Sequence, residues 1–454
     1  MSLLDRLKFG FTENVFDKII NIMFRFFEPI LFIYFLGVNY YGEWLIIFTI
    51  PAYLLISDIG YVVIGINQIN MLVEKKKILY ANQIANKTFT TILLFNIIFS
   101  LIFFSVFYFL NKFGVFNLKL ITNNEFNNCL IIFIIFIFFS QLNGFLQRVL
   151  ACVEYYHLEI RLGYIYRIFE ISSFGIAMFL GFKATGLALS LLIINILFIF
   201  INYIFLRSKT NLFRLRFDLD INYIKKHLEK GLLSMSFPVG NAIKNQITLM
   251  IVGSVIGPLA VVITNIYLTI SRIPSIYSGI SDGVLKIELA KLFVSNKFKK
   301  LRLLFTLNLI FTLLFSIISI LFLAIFGEFL LHFWVGDSVP YEGKVFVVFL
   351  VYGILHCLFI SSVNIQFSTN KFIKISKLYI FLNLAYIILL TFLIKLFGLI
   401  GIPISFMITE FFIFLFALII SMKIIKINFS YVFKNVFNIN LLKYINKKLN
   451  IPRN

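Results

Sequence analysis

Charge is scarce in this chain. Only 13% of its 454 residues are Asp, Glu, Lys or Arg, while 61% are hydrophobic. A soluble fold of this length lacks the polar surface to cover such a composition, so an integral membrane protein is implied. Acidic residues are the scarcest charged class, 20 against 41 Lys and Arg, which leaves a formal charge of +21. Cysteine is nearly absent. Cys129, Cys152 and Cys357 fall in or beside separate apolar runs with no CxxC or metal spacing, which argues against a structural disulfide or a zinc site. The chain has no P-loop, HExxH or GxSxG stretch, which excludes ATP-driven transport within it. No small-residue cleavage site follows the first apolar run, so no removable signal peptide is expected.

Long apolar runs take the place of what is missing. A spanning helix needs about twenty mostly apolar residues. On that criterion about twelve are predicted, at roughly 15–36, 42–66, 89–110, 128–150, 163–182, 184–206, 232–255, 258–283, 303–326, 344–367, 378–397 and 401–422. None alternates polar and apolar over about ten residues, as a barrel strand would. The basic residues test the count, because cytoplasmic loops collect Lys and Arg. With the N-terminus inside, the outer segments hold only Lys112, Lys119, Lys183, Lys344 and Lys395. Inner segments such as 75–87, 207–230, 286–302 and 371–377 hold most of the rest. Both termini are therefore expected in the cytoplasm. The positive charge is spread over every inner loop, so attraction to membrane lipid headgroups accounts for it and no nucleic acid is implied. "NYIKKHLEKG" before the seventh span and "FKNVFNINLLKYINKKLN" in the tail read either as topology-setting loop ends or as surface amphipathic helices.

The spans repeat. "GLALS" at Gly186 and "GIPIS" at Gly401 open the sixth and twelfth, and Gly42 and Gly257 open the second and eighth, each pair 215 residues apart. A duplicated six-helix unit follows. Six is even, so the copies run parallel: an N-terminal lobe (1–206), a cytoplasmic linker (207–231), a C-terminal lobe (232–422) and a basic tail (423–454). The fold class expected is thus all-α, with two parallel six-helix lobes around a central cavity.

The stretch "FLGVNYYGEWLIIFTIPAYLLISDIGY" (35–61) resembles the signature of Wzx-type polysaccharide flippases, a branch of the MOP exporter superfamily that also holds the MATE-like exporters. "LNGFLQRVLACVEYYHLEIRLG", "GLALS" and "GIPISFMITE" extend the resemblance along the chain, more loosely in its second half. The resemblance implies a non-enzymatic transporter of a bacterial inner membrane, without a cofactor. It implies transfer of an undecaprenyl-diphosphate-linked oligosaccharide between leaflets for O-antigen, the polysaccharide of lipopolysaccharide, or other surface polysaccharide synthesis. A polysaccharide polymerase and a chain-length regulator are the implied partners.

Eight charges inside the spans are the candidate site. A charge at a helix centre costs roughly 2.5–3.5 kcal/mol on insertion scales, so it faces protein or water. Arg25 with Glu28, and Arg167 with Glu170, are R-x-x-E pairs that share a helix face and can pair locally. Lys244 and Arg272 have no carboxylate three or four residues away and need an anion from another helix or from a ligand. Arg25, Lys244 and Arg272 are the candidates to hold a diphosphate, since guanidinium forks match phosphate oxygens. Asp58 stands in the first half where the second has a cation, which departs from a symmetric arginine basket. Glu28, Asp58 and Glu410 are candidates for ion coupling or for pairing with these cations. His356 and Cys357 read as packing residues. Pro29, Pro51, Pro238, Pro274 and Pro403 read as kinks.

Three functions compete on sequence. The flippase fits the signature, the duplication and the cationic spans. A multidrug exporter of the sister branch would share the lobes with a less basic cavity. A membrane polysaccharide polymerase would need a large outer loop, and the longest here, near 111–127 and 327–343, are short.

Overall fold

The computed structural model describes residues 3–54, 60–116, 118–152, 155–209, 216–369 and 371–428. The described residues are mostly helical, with no strand among them. Two compact units arise, Met1–Ile266 with Leu331–Pro340, and Tyr267–Leu330 with Tyr341–Asn454.

The first unit opens with α1 (Leu3–Leu36), α2 (Val38–Leu54) and α3 (Tyr61–Glu74). Next come α4 (Ile78–Lys112), α5 (Asn123–Cys152), α6 (Tyr156–Phe179) and α7 (Ala184–Lys209). Helix α8 (Ile221–Ser234) is followed by α9 (Ser236–Ala242), a π turn at Ile243–Ile247 and α10 (Thr248–Val255). Helix α11 (Pro258–Ser271) crosses into the second unit, which holds α12 (Ile273–Val294), most of α13 (Phe298–Val335), α14 (Gly343–Ser368), α15 (Ile373–Phe397) and α16 (Gly401–Ile425).

Seven stretches are long and apolar enough to cross a membrane, and the one over Ile373–Ile425 contains both α15 and α16. Helix α6 is long enough but carries Arg161, Arg167, Glu159 and Glu170. Three further spans combine consecutive helices: α2 with α3, α9 with α10, and α11 with α12. Together they make about twelve spans, as in a multi-pass membrane protein, among the described residues.

Polar and aromatic side chains join the apolar interior of each unit, because helix pairs in lipid gain little from apolar burial alone. In the first unit α1 packs on α6, and α5 on α7. Trp44 is fully buried and stacks near Phe32 and Phe48, with Phe133 and Phe174 at its edges. Asn202 donates to Asn143 inside this core. In the second unit Gln366 donates to the Ala417 carbonyl and to Ser421 Oγ, both at 2.9 Å, and Ser421 to the Ser362 carbonyl at 2.6 Å. These bonds lock α14 to α16.

The signature residues have structural work. A Cβ on Gly42 would fall 2.2 Å from the Pro258 carbonyl oxygen, so only glycine permits that approach of α2 to the start of α11. Glu43 is 1% exposed and accepts the backbone N–H groups of Lys119, Leu120 and Ile121 at 2.8–3.0 Å. That carboxylate closes the 118–122 turn between α4 and α5.

The duplication recurs in local geometry. Lys76 (φ 56°) and Asn296 (φ 54°) are left-handed residues that end α3 and α12. The next amide donates back over the turn in both cases, Lys77 to Leu72 at 2.8 Å and Lys297 to Leu292 at 3.0 Å. The compact units nevertheless divide within α11 rather than in 207–231, because α9, the π turn and α10 pack on α2.

Pro274 follows the break between α11 and α12 within one span, whereas Pro403 differs from the sequence reading: it stands in the first turn of α16 rather than at a kink, where a missing N–H costs nothing. "NYIKKHLEKG" folds as α8. The proposed tail helix at 433–450 lies outside the described residues, as does Asp58.

Candidate functional site

Packing of α1 on α6 brings the two R-x-x-E motifs together. Arg167 donates to Glu170 at 2.6 Å along one helix face; the glutamate side chain is 7% exposed and the arginine side chain 50%. Glu28 lies within the electrostatic reach of Glu170, Arg167 and Arg25, and Asp17 within that of Arg167. Arg25 is exposed on α1 and Glu28 half-buried. Two cations and two carboxylates thus share one intramembrane cluster, with Asp17 at its edge. Below it, Arg161 pairs with the buried Glu13 at the same helix interface. Glu13 precedes the Phe16–Leu36 span. Burial alone would raise its carboxyl, and the Arg161 and Tyr164 hydrogen bonds outweigh this and hold it below the usual glutamate value.

Lys244 occupies the π turn, where the extra residue per turn widens the helix and Thr248 donates back to the Lys244 carbonyl. The lysine is 2% exposed. It is the least accessible of the three candidate diphosphate ligands.

The second unit builds a cluster around Arg272, at the break between α11 and α12. Its guanidinium donates to Tyr352 Oη through Nη2 at 2.8 Å and Nε at 3.2 Å. Glu410 and Tyr379 add to the field that Arg272 feels. Arg272, which has no carboxylate three or four residues away along the chain, thus feels the field of one from α16. Glu410 is 1% exposed and lies 2.7 Å from His356 Nδ1. His356 thus departs from its reading as a packing residue. Its partner is 54 positions away, on another helix. Cys357 is buried.

The structure brings Arg25, Glu28, Arg167 and Glu170 together in one unit, and Arg272 with Glu410 in the other. Lys244 stands in the first unit, in the π turn. Sequence reasoning missed Glu43, Tyr352 and His356. For Glu43 the YGEW motif was a signal, but its partners are backbone amides that no side-chain pattern records.

The all-helical fold, with about twelve spans and two compact units, is one found in solved membrane transporters. No family of described sequences matches the chain, and no curated protein does. Solved structures do. The chain resembles an inward-facing multidrug resistance MATE family transporter of the MOP superfamily at TM-score 0.75 and 13% identity, covering 92% of this chain and 96% of that one. It resembles the lipid II flippase MurJ, in an inward closed conformation, at TM-score 0.70 and 15% identity over 99% and 94% of the two chains. The multidrug transporter DinF-BH, in complex with R6G, matches at TM-score 0.66 and 14% identity over 94% and 98%. These relatives are transporters and a flippase, and at such identities the likeness is one of fold.

Proposed function

We propose that this protein is a flippase in a bacterial inner membrane, with both termini inside. It moves an undecaprenyl-diphosphate-linked oligosaccharide from the cytoplasmic to the periplasmic leaflet by alternating access, for O-antigen or another surface polysaccharide. The observation that carries this reading is the accessible pair Arg25 and Arg167 on adjoining spans α1 and α6. An arginine kept accessible at membrane depth faces water rather than lipid. Its fork is suited to phosphate oxygens in a way an ammonium is not. Arg25, Arg272 and Lys244 each meet the diphosphate in the course of passage, while the polyprenyl tail stays in lipid. Arg167, Glu170 and Glu28 hold Arg25 in place. Glu28, Asp58 and Glu410 are the groups through which an ion couples to the cycle. A polysaccharide polymerase and a chain-length regulator act on the delivered unit.

A multidrug exporter is the second reading, favoured by the likeness to the MATE transporter and to DinF-BH. Reconstitution separates the two. Purified protein in proteoliposomes is expected to make a fluorescent undecaprenyl-diphosphate oligosaccharide accessible to a membrane-impermeant quencher. It is expected to leave an accumulated cationic dye unmoved. Dye transport without lipid transfer would overturn the flippase reading.

A further inference from the structure

Outside the spans, the richest chemistry lies where α8 docks on α3 and α4. Asp220 accepts the Tyr223 amide at 3.0 Å, which caps α8, and also binds Lys87 at 2.7 Å. Tyr61 donates to the Ile224 carbonyl at 2.7 Å, and Tyr223 shares a hydrogen bond with Thr88 at 3.0 Å. These contacts fix α8 beside a cavity of about 500 Å³.

Gln68 and His227 line that cavity, with Lys75 and Lys226 beside them. His227 is 8% exposed, and its Nε2 lies 3.1 Å from Gln68 Nε2. An amide nitrogen only donates, so this ring nitrogen accepts and the proton of the neutral ring sits on Nδ1. Nδ1 is buried without a partner among the described residues, and so is Gln68 Oε1. A buried N–H with no acceptor is costly, and the groups close to it are cationic. Lys87 is engaged by Asp220, which leaves Lys75 and Lys226 exposed with their charge. Met71 and Leu72 form an apolar edge to the same cavity. Phe217, Ile221, Leu228 and Leu232, on and before α8, are exposed apolar side chains that a bilayer interface covers.

We propose that this cavity binds the phosphate of an anionic phospholipid headgroup, with His227 Nδ1–H and the Lys75 and Lys226 ammonium groups as donors and Met71 and Leu72 beside the acyl chains. The phosphate chemistry would also suit inorganic phosphate. The apolar edge and the interfacial face of α8 assign it to a lipid. Burial, with Lys226 and Lys230 nearby, holds the His227 ring below the usual histidine range. Lys75, Lys87, Asp220 and Tyr223 also border the cavity. A bound phosphate offsets the cations and draws a second proton onto Nε2, toward which the Gln68 amide then turns its unpartnered Oε1, so binding strengthens as pH falls.

The site does not rest on the transport reading, and none of its residues belongs to the proposed substrate path. Thermal unfolding of the purified full chain in detergent tests it, with short-chain phosphatidylglycerol, matched phosphatidylcholine and inorganic phosphate as probes. Phosphatidylglycerol is expected to raise the midpoint by several degrees over phosphatidylcholine, more at pH 6 than at pH 8. Lys226→Gln and His227→Phe are each expected to remove at least half of that increment. An equal increment with inorganic phosphate, lost in the same variants, would overturn the lipid source. An increment unchanged in both variants would overturn the site. Should His227→Phe fail to fold, Lys75→Gln and Lys226→Gln decide, since both side chains are exposed.

Discussion

Arg25 is the residue on which the proposed chemistry turns, and its surroundings make it testable. Glu28 feels Arg167 as well as Arg25. Removing Arg25 therefore leaves the glutamate with a cation in reach, and Arg25→Ala is expected at normal abundance with most lipid transfer lost. Arg25→Lys should retain part of the activity, because charge persists while the bidentate geometry does not. If Arg25 serves only Glu28, the double variant Arg25→Ala, Glu28→Ala will recover transfer, and the diphosphate assignment falls. Arg167→Ala is expected to behave otherwise. It strands the buried Glu170, at a cost of about 1–3 kcal/mol for an unsatisfied buried group, and should lower abundance on immunoblots as well as activity. The R-x-x-E spacing was legible because three residues along a helix is a local relation. The meeting of the two motifs, and of His356 with Glu410, was not, because tertiary packing alone sets which helices adjoin.

Helix ends carry the next set of consequences. Lys76 and Asn296 occupy equivalent left-handed positions, yet asparagine tolerates that conformation and lysine does so poorly. Lys76→Gly is expected to stabilise the fold by about 1 kcal/mol, and Asn296→Gly by less, in thermal unfolding of the detergent-solubilised protein. At Gly42 the sign reverses. Gly42→Ala forces a backbone shift against the Pro258 carbonyl and should cost about 1–3 kcal/mol by the same measurement. Hydropathy alone revealed most spans to within several residues, since an apolar run of that length has few alternatives. It did not place the interruptions at α9–α10 and α11–α12, although polar residues such as Asn241, Asn245 and Gln246, and Ser271, Arg272 and Ser275, mark both. Pro403 misled because a proline in an apolar run looks the same whether it bends a helix or begins one.

For the whole molecule, the distribution of lysine and arginine makes the firmest forecast. Reporter fusions after Lys77, Lys226, Lys299 and Lys374 are expected to read cytoplasmic, and those near Asn123 and Asp337 periplasmic. One reproducible inversion would break the orientation on which the direction of transport depends. The fold class was readable from composition, hydropathy and the 215-residue repeat together, because lipid leaves a chain so apolar few architectures besides a helix bundle. The proposed substrate was not readable in this way, because multidrug transporters and a lipid II flippase share the scaffold.

The carboxylate of Glu43 grips the 118–122 turn by its amides, and every residue except proline offers an amide. The side chains of Lys119, Leu120 and Ile121 are thus uninvolved in that grip. A turn built this way can drift in sequence while its shape persists. Evolution is left one prohibition at those three positions, and one glutamate to keep.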